Sequence, residues 1–133
     1  MSFRIRYDAD KRQVNLLFYG ESTYGSRIEA VRQLVVKFGH LKPLRILADV
    51  RKVTKMSMSK EEQEAFGLFV GAQDILKNAH IAVLTNPQLN TTAVMRNTAR
   101  QQGAEFYFFL TVAEADAWLA SRTVVRGAAD VPG

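Results

Sequence analysis

The chain has 133 residues and no cysteine; 47% of its residues are apolar and 23% are charged. This length suits one domain with a core of its own, and the absence of thiols excludes disulfide bonds and thiolate metal sites. The first residues carry charges where a secretory signal needs an apolar run, and no apolar run approaches the roughly 20 residues of a membrane span, so we expect a soluble, cytoplasmic protein.

Two alternating runs open the chain and predict a β-hairpin. Phe3, Ile5 and Tyr7 should share one face of the first strand, because arginines occupy the positions between them. Asp8–Lys11 supplies the turn, and a second strand should continue to Gly20.

A helix should follow the hairpin. Apolar residues recur at spacings of three and four, which indicates one buried face: Ile28, Val31, Leu34, Val35 and Phe38. Two starts are open, because Ser26 with Glu29 has the spacing of a capping box, whereas Ser22 or Thr23 could begin the helix one turn earlier. Gly39 is expected to end it.

Strands and helices alternate over the rest of the chain. In order, the pattern predicts a buried strand entered through Pro43 and closed by Asp49, a helix from about Lys60 to Leu76, a strand at His80–Thr85, a helix from Asn90 to about Gln102, a strand at Glu105–Leu110, and a helix capped by Thr111. The order β-β-α-β-α-β-α-β-α favours an α/β domain with a mostly parallel sheet and an antiparallel edge hairpin. We expect residues 1–120 to form this domain and residues 121–133 to be a disordered tail.

The net charge of +5 and the pI near 9.7 come mostly from dispersed basic residues, but one segment is concentrated. It follows Asp49, contains no acid, and reads as a loop that carries Arg51, Lys52, Lys55 and Lys60. No nucleic-acid-binding motif accompanies it, so we expect another protein or a small anion as the partner rather than nucleic acid.

Two serines lie in this segment. Ser59 has the capping-box spacing to Glu62 and should start the second helix. Ser57 has no such role: alternation would turn Met56 and Met58 inward and leave it in solvent among the lysines. There it could be an ordinary exposed serine, or a phosphate acceptor whose phosphate the basic residues would hold.

In an open parallel sheet, ligands tend to bind beyond the carboxyl ends of the strands. The residues expected at that edge are Asp49, Arg51, Ser57, Thr85 and Asn86, although each could simply organise a turn. Catalysis has little support, because His40 and His80 show neither a metal-ligand spacing nor a nucleophile motif. We therefore expect no enzyme, no cofactor and no metal.

Gly67 and Gly71 lie four apart on the second predicted helix. Helix glycines cost stability, so they indicate a close approach. The neighbour could be the sheet, another helix or a second subunit, and a homodimer is one of the alternatives.

The order of elements, with the strand ILADVR, the serine segment and the ending FYFFLTVAEADAWL, resembles the SpoIIAA-like fold over about residues 3–120. That fold includes STAS domains (sulfate transporter and anti-sigma-factor antagonist) and small bacterial relatives of the lipid-binding SEC14-type (CRAL-TRIO) domains. In the antagonist branch, an Asp-Ser-Ser-Gly motif after the third strand carries a phosphorylated serine. The overlay puts Met56 at the Asp and Ser57 at the acceptor, and the Gly is absent.

The resemblance implies a non-enzymatic regulatory, protein-interaction module with Ser57 as a candidate switch. The alternative is a domain that binds a small anionic or lipid-like ligand near the carboxyl ends of the parallel strands.

Overall fold

A computed structural model describes residues 2–41, 44–77, 79–85 and 105–122. Within these ranges the elements are, in chain order, β1 (Phe3–Asp8), β2 (Gln13–Thr23), α1 (Tyr24–Phe38), β3 (Arg45–Ser57), α2 (Lys60–Ala72), α3 (Asp74–Lys77), β4 (His80–Leu84), β5 (Glu105–Phe109) and α4 (Val112–Ala120). The helix predicted after Asn90 and most of the predicted tail lie outside the described residues. None of the helices in the described ranges is long and apolar enough to cross a membrane.

The sheet has the order β1-β2-β3-β4-β5. β1 and β2 pair antiparallel, whereas β2 with β3, β3 with β4 and β4 with β5 pair parallel. The predicted α/β class, with a parallel sheet and one antiparallel edge hairpin, is confirmed.

Each face of the sheet carries its own apolar cluster. The larger core joins Phe3, Leu16 and Ile46 on one face with Ala30, Val31 and Leu34 of α1 and with Phe66 and Val70 of α2. The smaller cluster joins the other face to α4 through Leu47, Ala82, Leu84, Ala115 and Leu119. Helices α1 and α2 therefore lie on the opposite side of the sheet from α4.

The caps decide where the helices begin. Thr23 caps α1: its side chain accepts from the backbone N–H of Ser26, and the Ser26 side chain accepts in return from the backbone N–H of Thr23. The earlier of the two predicted starts is therefore right, and the Ser26–Glu29 capping box is wrong. Ser59 caps α2 with Glu62 as predicted.

The second helix is shorter than predicted. It ends at Ala72, and Gln73 has an extended backbone that separates α2 from the short α3. Gly67 and Gly71 are buried, next in sequence to Phe66 and Val70, the α2 residues that pack in the larger core. This burial supports close packing inside the subunit, and a homodimer stays a prediction.

The largest departure from the sequence-based expectation is at β3. The strand does not end at Asp49 but continues to Ser57, still paired with β2, so the predicted basic loop is a strand. Its buried residues there are Val50 and Val53, with Met56 partly buried. Buried residues three apart do not fit a regular strand, in which every second side chain faces the core. Two irregularities in the pairing of β3 with β2 account for this spacing.

Candidate binding surface

The ends of β2 and β3 project beyond the rest of the sheet as a two-stranded ribbon. β3 is last paired with β4 at Asp49 and Leu84, but it stays paired with β2 up to Thr23 and Ser57. We call Tyr19–Thr23 and Lys52–Ser57 the ribbon. Because a strand rises about 3.3 Å per residue, Ser57 lies roughly 25 Å from Asp49.

The length of the ribbon places the predicted site residues in two separate groups. Asp49, Arg51 and Thr85 lie at the end of β4, whereas Ser57 and Lys60 lie at the far end of the ribbon. The prediction of one cluster at a common edge is wrong because it took Asp49 as the end of the strand. Asn86 lies outside the described residues.

Two irregularities in the pairing decide which side chains of the ribbon face solvent. From Leu17 to Tyr19 on β2, the partner on β3 moves from Asp49 to Lys52, so β3 carries one extra residue; a second extra residue follows Val53. Such bulges re-aim the side chains of the strand that contains them. Consecutive polar residues are therefore exposed between buried ones: Arg51 with Lys52, and Thr54 with Lys55.

Asp49 and Arg51 form a closed pair. The Arg51 Nε donates to Asp49 Oδ1 at 3.0 Å, its Nη2 donates to Oδ2 at 2.9 Å, and its backbone N–H donates to Oδ1 at 2.9 Å. Burial alone would raise the pKa of Asp49, but these hydrogen bonds and the charge of Arg51 lower it below the usual 3.8. The same pair raises the pKa of Arg51. Much of the Arg51 guanidinium is thus already occupied.

Ser57 has a partner that the sequence did not indicate. Its hydroxyl donates to Glu21 Oε2 at 2.5 Å, and Glu21 lies opposite Lys55 in the ribbon. The predicted environment of lysines alone is therefore incomplete, because an acidic side chain is in direct contact with Ser57.

The exposed cations of β1 and β3 share one face of the sheet. Arg4 pairs with Leu17 and Leu17 with Asp49, so these residues point to the same side, away from α1 and α2. Helix α4 packs on this side mainly against β3, β4 and β5, and it leaves the cations of β1 exposed. We call this part of the sheet the open face; its charged members are Arg4, Arg6, Asp8, Glu21, Asp49, Arg51, Lys52 and Lys55.

The opposite end of the strands holds a different group of side chains. Buried Arg45 donates from Nη1 to the carbonyl of Leu119 at 3.0 Å and from Nη2 to the carbonyls of Lys11 and Arg12. Lys11 and Gln13 bind Asp116 of α4 at 2.7 and 3.2 Å. A cavity of about 610 Å³ lies beside them, lined by Asp10, Arg12, Ala117 and Ala120 as well.

The two histidines lie apart. His80 contacts Glu105 at 2.5 Å, and Arg122 donates to the other oxygen of Glu105 at 3.3 Å, whereas His40 is in the turn after α1. Among the residues that the structure describes, no group of three or more His, Cys, Asp or Glu side chains could hold a metal ion.

Sequence reasoning missed Arg27. This side chain is 3% exposed and lies between the rings of Phe18 and Phe66, with its guanidinium carbon 4.4 and 5.9 Å from their centroids. A signal was present, because Arg27 precedes Val31 and Leu34 by four and seven residues and so belongs to the buried face of α1.

The comparison with solved structures supports the fold and goes no further. No family model matches the chain, and no curated protein matches it. A solved structure of an uncharacterized DUF3478-family protein with a SpoIIAA-like fold, from Shewanella loihica, is 18% identical, with a TM-score of 0.55. The match covers 88% of this chain and 91% of that one. The chain therefore has the SpoIIAA-like fold, as its resemblance implied.

Proposed function

We propose that this protein is a non-enzymatic interaction module that binds an acidic surface of a partner protein through the open face. The observation that carries the proposal is the charge of that face: it has five exposed cations, on β1 and β3, and three carboxylates, those of Asp8, Glu21 and Asp49. A surface with excess positive charge raises the association rate of acidic partners and disfavours basic ones.

The distribution of charge favours a protein over a nucleic acid. Asp49 and Glu21 lie between the cations, and they would repel a continuous phosphate backbone. A protein surface that mixes both signs can place its own cations opposite them. Tyr19 is the only aromatic side chain that β1–β3 place on the open face within the described residues, fewer than a stacking platform for single strands uses.

Ser57 supports a way to regulate this binding. A phosphate there would carry about −2 and would lie against the Glu21 carboxylate that the hydroxyl now contacts. It would repel Glu21 and cancel much of the excess positive charge of the open face. We therefore expect phosphorylation of Ser57 to weaken binding of the acidic partner.

A matched pair of charge reversals tests the surface. Arg4→Glu with Lys52→Glu changes two cations on neighbouring rows of the open face, about 10 Å apart. Arg32→Glu with Lys37→Glu makes the same change in net charge on α1, on the other side of the sheet. After a partner is identified by photo-crosslinking from Thr54, calorimetry with that purified partner should show binding at least about tenfold weaker for the first variant alone.

Two results would contradict the proposal: equal binding by both charge-reversal variants, or a crosslinked product that nuclease digestion removes. For the switch, Ser57→Asp should bind more weakly than Ser57→Ala, which should match the unmodified protein. Equal affinities of the two serine variants would reject Ser57 as the regulatory position while leaving the surface intact.

A second candidate function is binding of a small anionic or lipid-like ligand near the strand ends. Two of the residues predicted to bind it already have donors engaged within the protein. Arg51 donates to the carboxylate of Asp49, and the backbone N–H of Thr85 donates to the carbonyl of Phe109 at 3.0 Å. The specific observation that favours a small anion is elsewhere, at Arg27.

A further inference from the structure

We propose that Arg27, with Ser22 and the N-terminus of α1, forms a binding site for the oxyanion of a small ligand, either a phosphate or a carboxylate group. The site is on the α1–α2 side of the sheet, so it is independent of the open face and of the proposed partner. Its basis is a buried cation that has a single hydrogen-bond acceptor among the described residues, the Ser22 hydroxyl.

The position of Arg27 follows from the start of the helix. Thr23 is the N-cap, so Ser22 is at N′ and Arg27 at N4, the two positions that commonly pack together as a hydrophobic staple. Here a hydrogen bond replaces that apolar contact: the Arg27 Nε donates to Ser22 Oγ at 2.7 Å. Ser22 is 1% exposed, so the whole contact is buried.

This local contact leaves part of the guanidinium unexplained. The Nη2 atom is buried and finds no hydrogen-bond acceptor, and in the part of the chain that the structure describes no carboxylate forms an ion pair with Arg27. Its other close neighbours are the apolar rings of Phe18 and Phe66. Buried Arg45 is held by three carbonyl oxygens, whereas Arg27 has one acceptor within the described ranges, so the missing partner of Arg27 is a hydrogen-bond acceptor, and an anionic one would also offset the buried charge.

The start of α1 provides the remaining donors. The Ser26 amide already donates to Thr23 Oγ1. The amides that remain without a partner within the helix are therefore those of Tyr24 and Gly25, which carry partial positive charge. The first turn of α1 contains no acidic residue to compete with an anion, unlike that of α2, which carries Glu61 and Glu62. The Ser22 hydroxyl accepts from Arg27 and keeps its own hydrogen for a further acceptor.

Access is provided at Gly25, in the same turn. Gly25 is exposed, and a Cβ built on it would meet no atom within 4 Å, so the surface in front of this turn is open. Arg27 lies about 200° around the helix axis from Gly25, so an oxyanion held by the first helix amides reaches Nη2 only when the Arg27 side chain turns toward the helix end. Phosphate and carboxylate groups can each accept two hydrogen bonds from a guanidinium, so either oxyanion has the chemistry that this site would bind.

Titration with inorganic phosphate, acetate and chloride at equal ionic strength tests the site. The readouts are the melting temperature and the NMR signals of the Arg27 Nε–H and the Gly25 amide. We expect saturable shifts of both signals and a rise of about 2 °C or more with phosphate, with acetate, or with both, but not with chloride. A response to phosphate alone would identify a phosphorylated ligand, and a response to acetate alone a carboxylate.

The matched variants are Arg27→Met and Arg32→Met, the same substitution at a buried and an exposed position of one helix. Arg27→Met should abolish the response, Arg32→Met should retain it, and Arg27→Lys should weaken it about tenfold because it loses the planar fork. The proposal is overturned if no oxyanion gives a saturable response in the unmodified protein, or if Arg27→Met responds as strongly as Arg32→Met.

Discussion

Two buried arginines, Arg27 and Arg45, differ in what they bind. They are 3% and 4% exposed, and burial lowers the pKa of both; that of Arg27 falls to about 10. Arg45 donates to three backbone carbonyls from the β1–β2 turn and the end of α4. Arg27 donates to one hydroxyl and otherwise contacts two aromatic rings.

The difference separates a structural cation from a candidate ligand-binding one. Arg45 supplies donors to the carbonyls of Lys11 and Arg12 at the β1–β2 turn, and it adds a second donor to the Leu119 carbonyl, which also accepts from the backbone N–H of Arg122 at 3.0 Å. It joins segments 33, 34 and 74 residues away in sequence. Arg27 satisfies only Ser22. Each of the two side chains has one buried nitrogen without an acceptor among the described residues, Nη2 of Arg27 and Nε of Arg45, so the difference between them is in the number of acceptors that they bind.

Replacement of Arg45 should have the largest effect on stability. Arg45→Met removes the arginine donors from the carbonyls of Lys11 and Arg12 and leaves the Leu119 carbonyl with the backbone N–H of Arg122 alone, and hydrogen bonds from a charged group contribute about 1.5–3 kcal/mol each when partners are stranded. Because some of these carbonyls can bind water instead, we expect a loss of about 3 kcal/mol in the free energy of unfolding. Urea denaturation measures it, and a loss below about 1 kcal/mol would contradict the structural role.

Arg27→Met should change stability in the opposite direction. The lowered pKa of Arg27 corresponds to a cost of roughly 3 kcal/mol for keeping the buried guanidinium charged. Replacing Arg27 removes that cost, but losing the contact with Phe18 and leaving the Ser22 hydroxyl without a partner each cost about 1 kcal/mol. We therefore expect Arg27→Met to raise the free energy of unfolding by about 1 kcal/mol.

The double change Arg27→Met with Ser22→Ala should raise the free energy of unfolding by about 2 kcal/mol, because the Ser22 hydroxyl, which would otherwise lose its partner, is removed as well. The measurement is urea denaturation without added phosphate, with Arg32→Met as the control, which should stay within about 0.5 kcal/mol of the unmodified protein. A loss of stability on Arg27→Met as large as that of Arg45→Met would remove the contrast between the two arginines.

Local patterns in the sequence predicted the elements that local chemistry determines. The alternation in β1 and the capping box at Ser59 depend only on neighbouring residues, and both are as expected. The strand ILADVR was also found, because a run of apolar residues is buried on both faces of a parallel sheet.

The ribbon was missed because its pattern comes from pairing. Two bulges change the buried spacing from two to three, at Val50, Val53 and Met56, and nothing in this segment alone indicates that β2 will accept the extra residues. The contacts of Arg27 and Arg45 were missed for a related reason. The acceptors of Arg45 are 33 to 74 residues away in sequence, and the contact of Arg27 with Phe66 comes from the packing of α1 on α2, although its hydrogen bond to Ser22 is local.

A third arginine, Arg51, differs from Arg27 and Arg45 because its partner is a carboxylate, that of Asp49. Removing the charge of Asp49 should change the free energy of unfolding least of the three changes, and the size of the change should depend on pH. The pKa of Asp49 is lowered in the folded state, so the unfolded state binds more protons near pH 3.8. The stabilisation is therefore complete above that pH and disappears as the pH falls through the lower pKa of the folded protein.

Because Arg51 is 39% exposed, solvent screens the pair, and we expect Asp49→Asn to cost about 0.5 kcal/mol at pH 7. Urea denaturation of both proteins from pH 7 down to pH 2 measures the difference, which should shrink to zero in acid. Arg51 keeps its charge throughout, so a difference that stays constant with pH would trace the effect to packing or to the backbone hydrogen bond rather than to the ion pair. In that case, the charge of the acceptor would not explain why the three arginines contribute differently to stability.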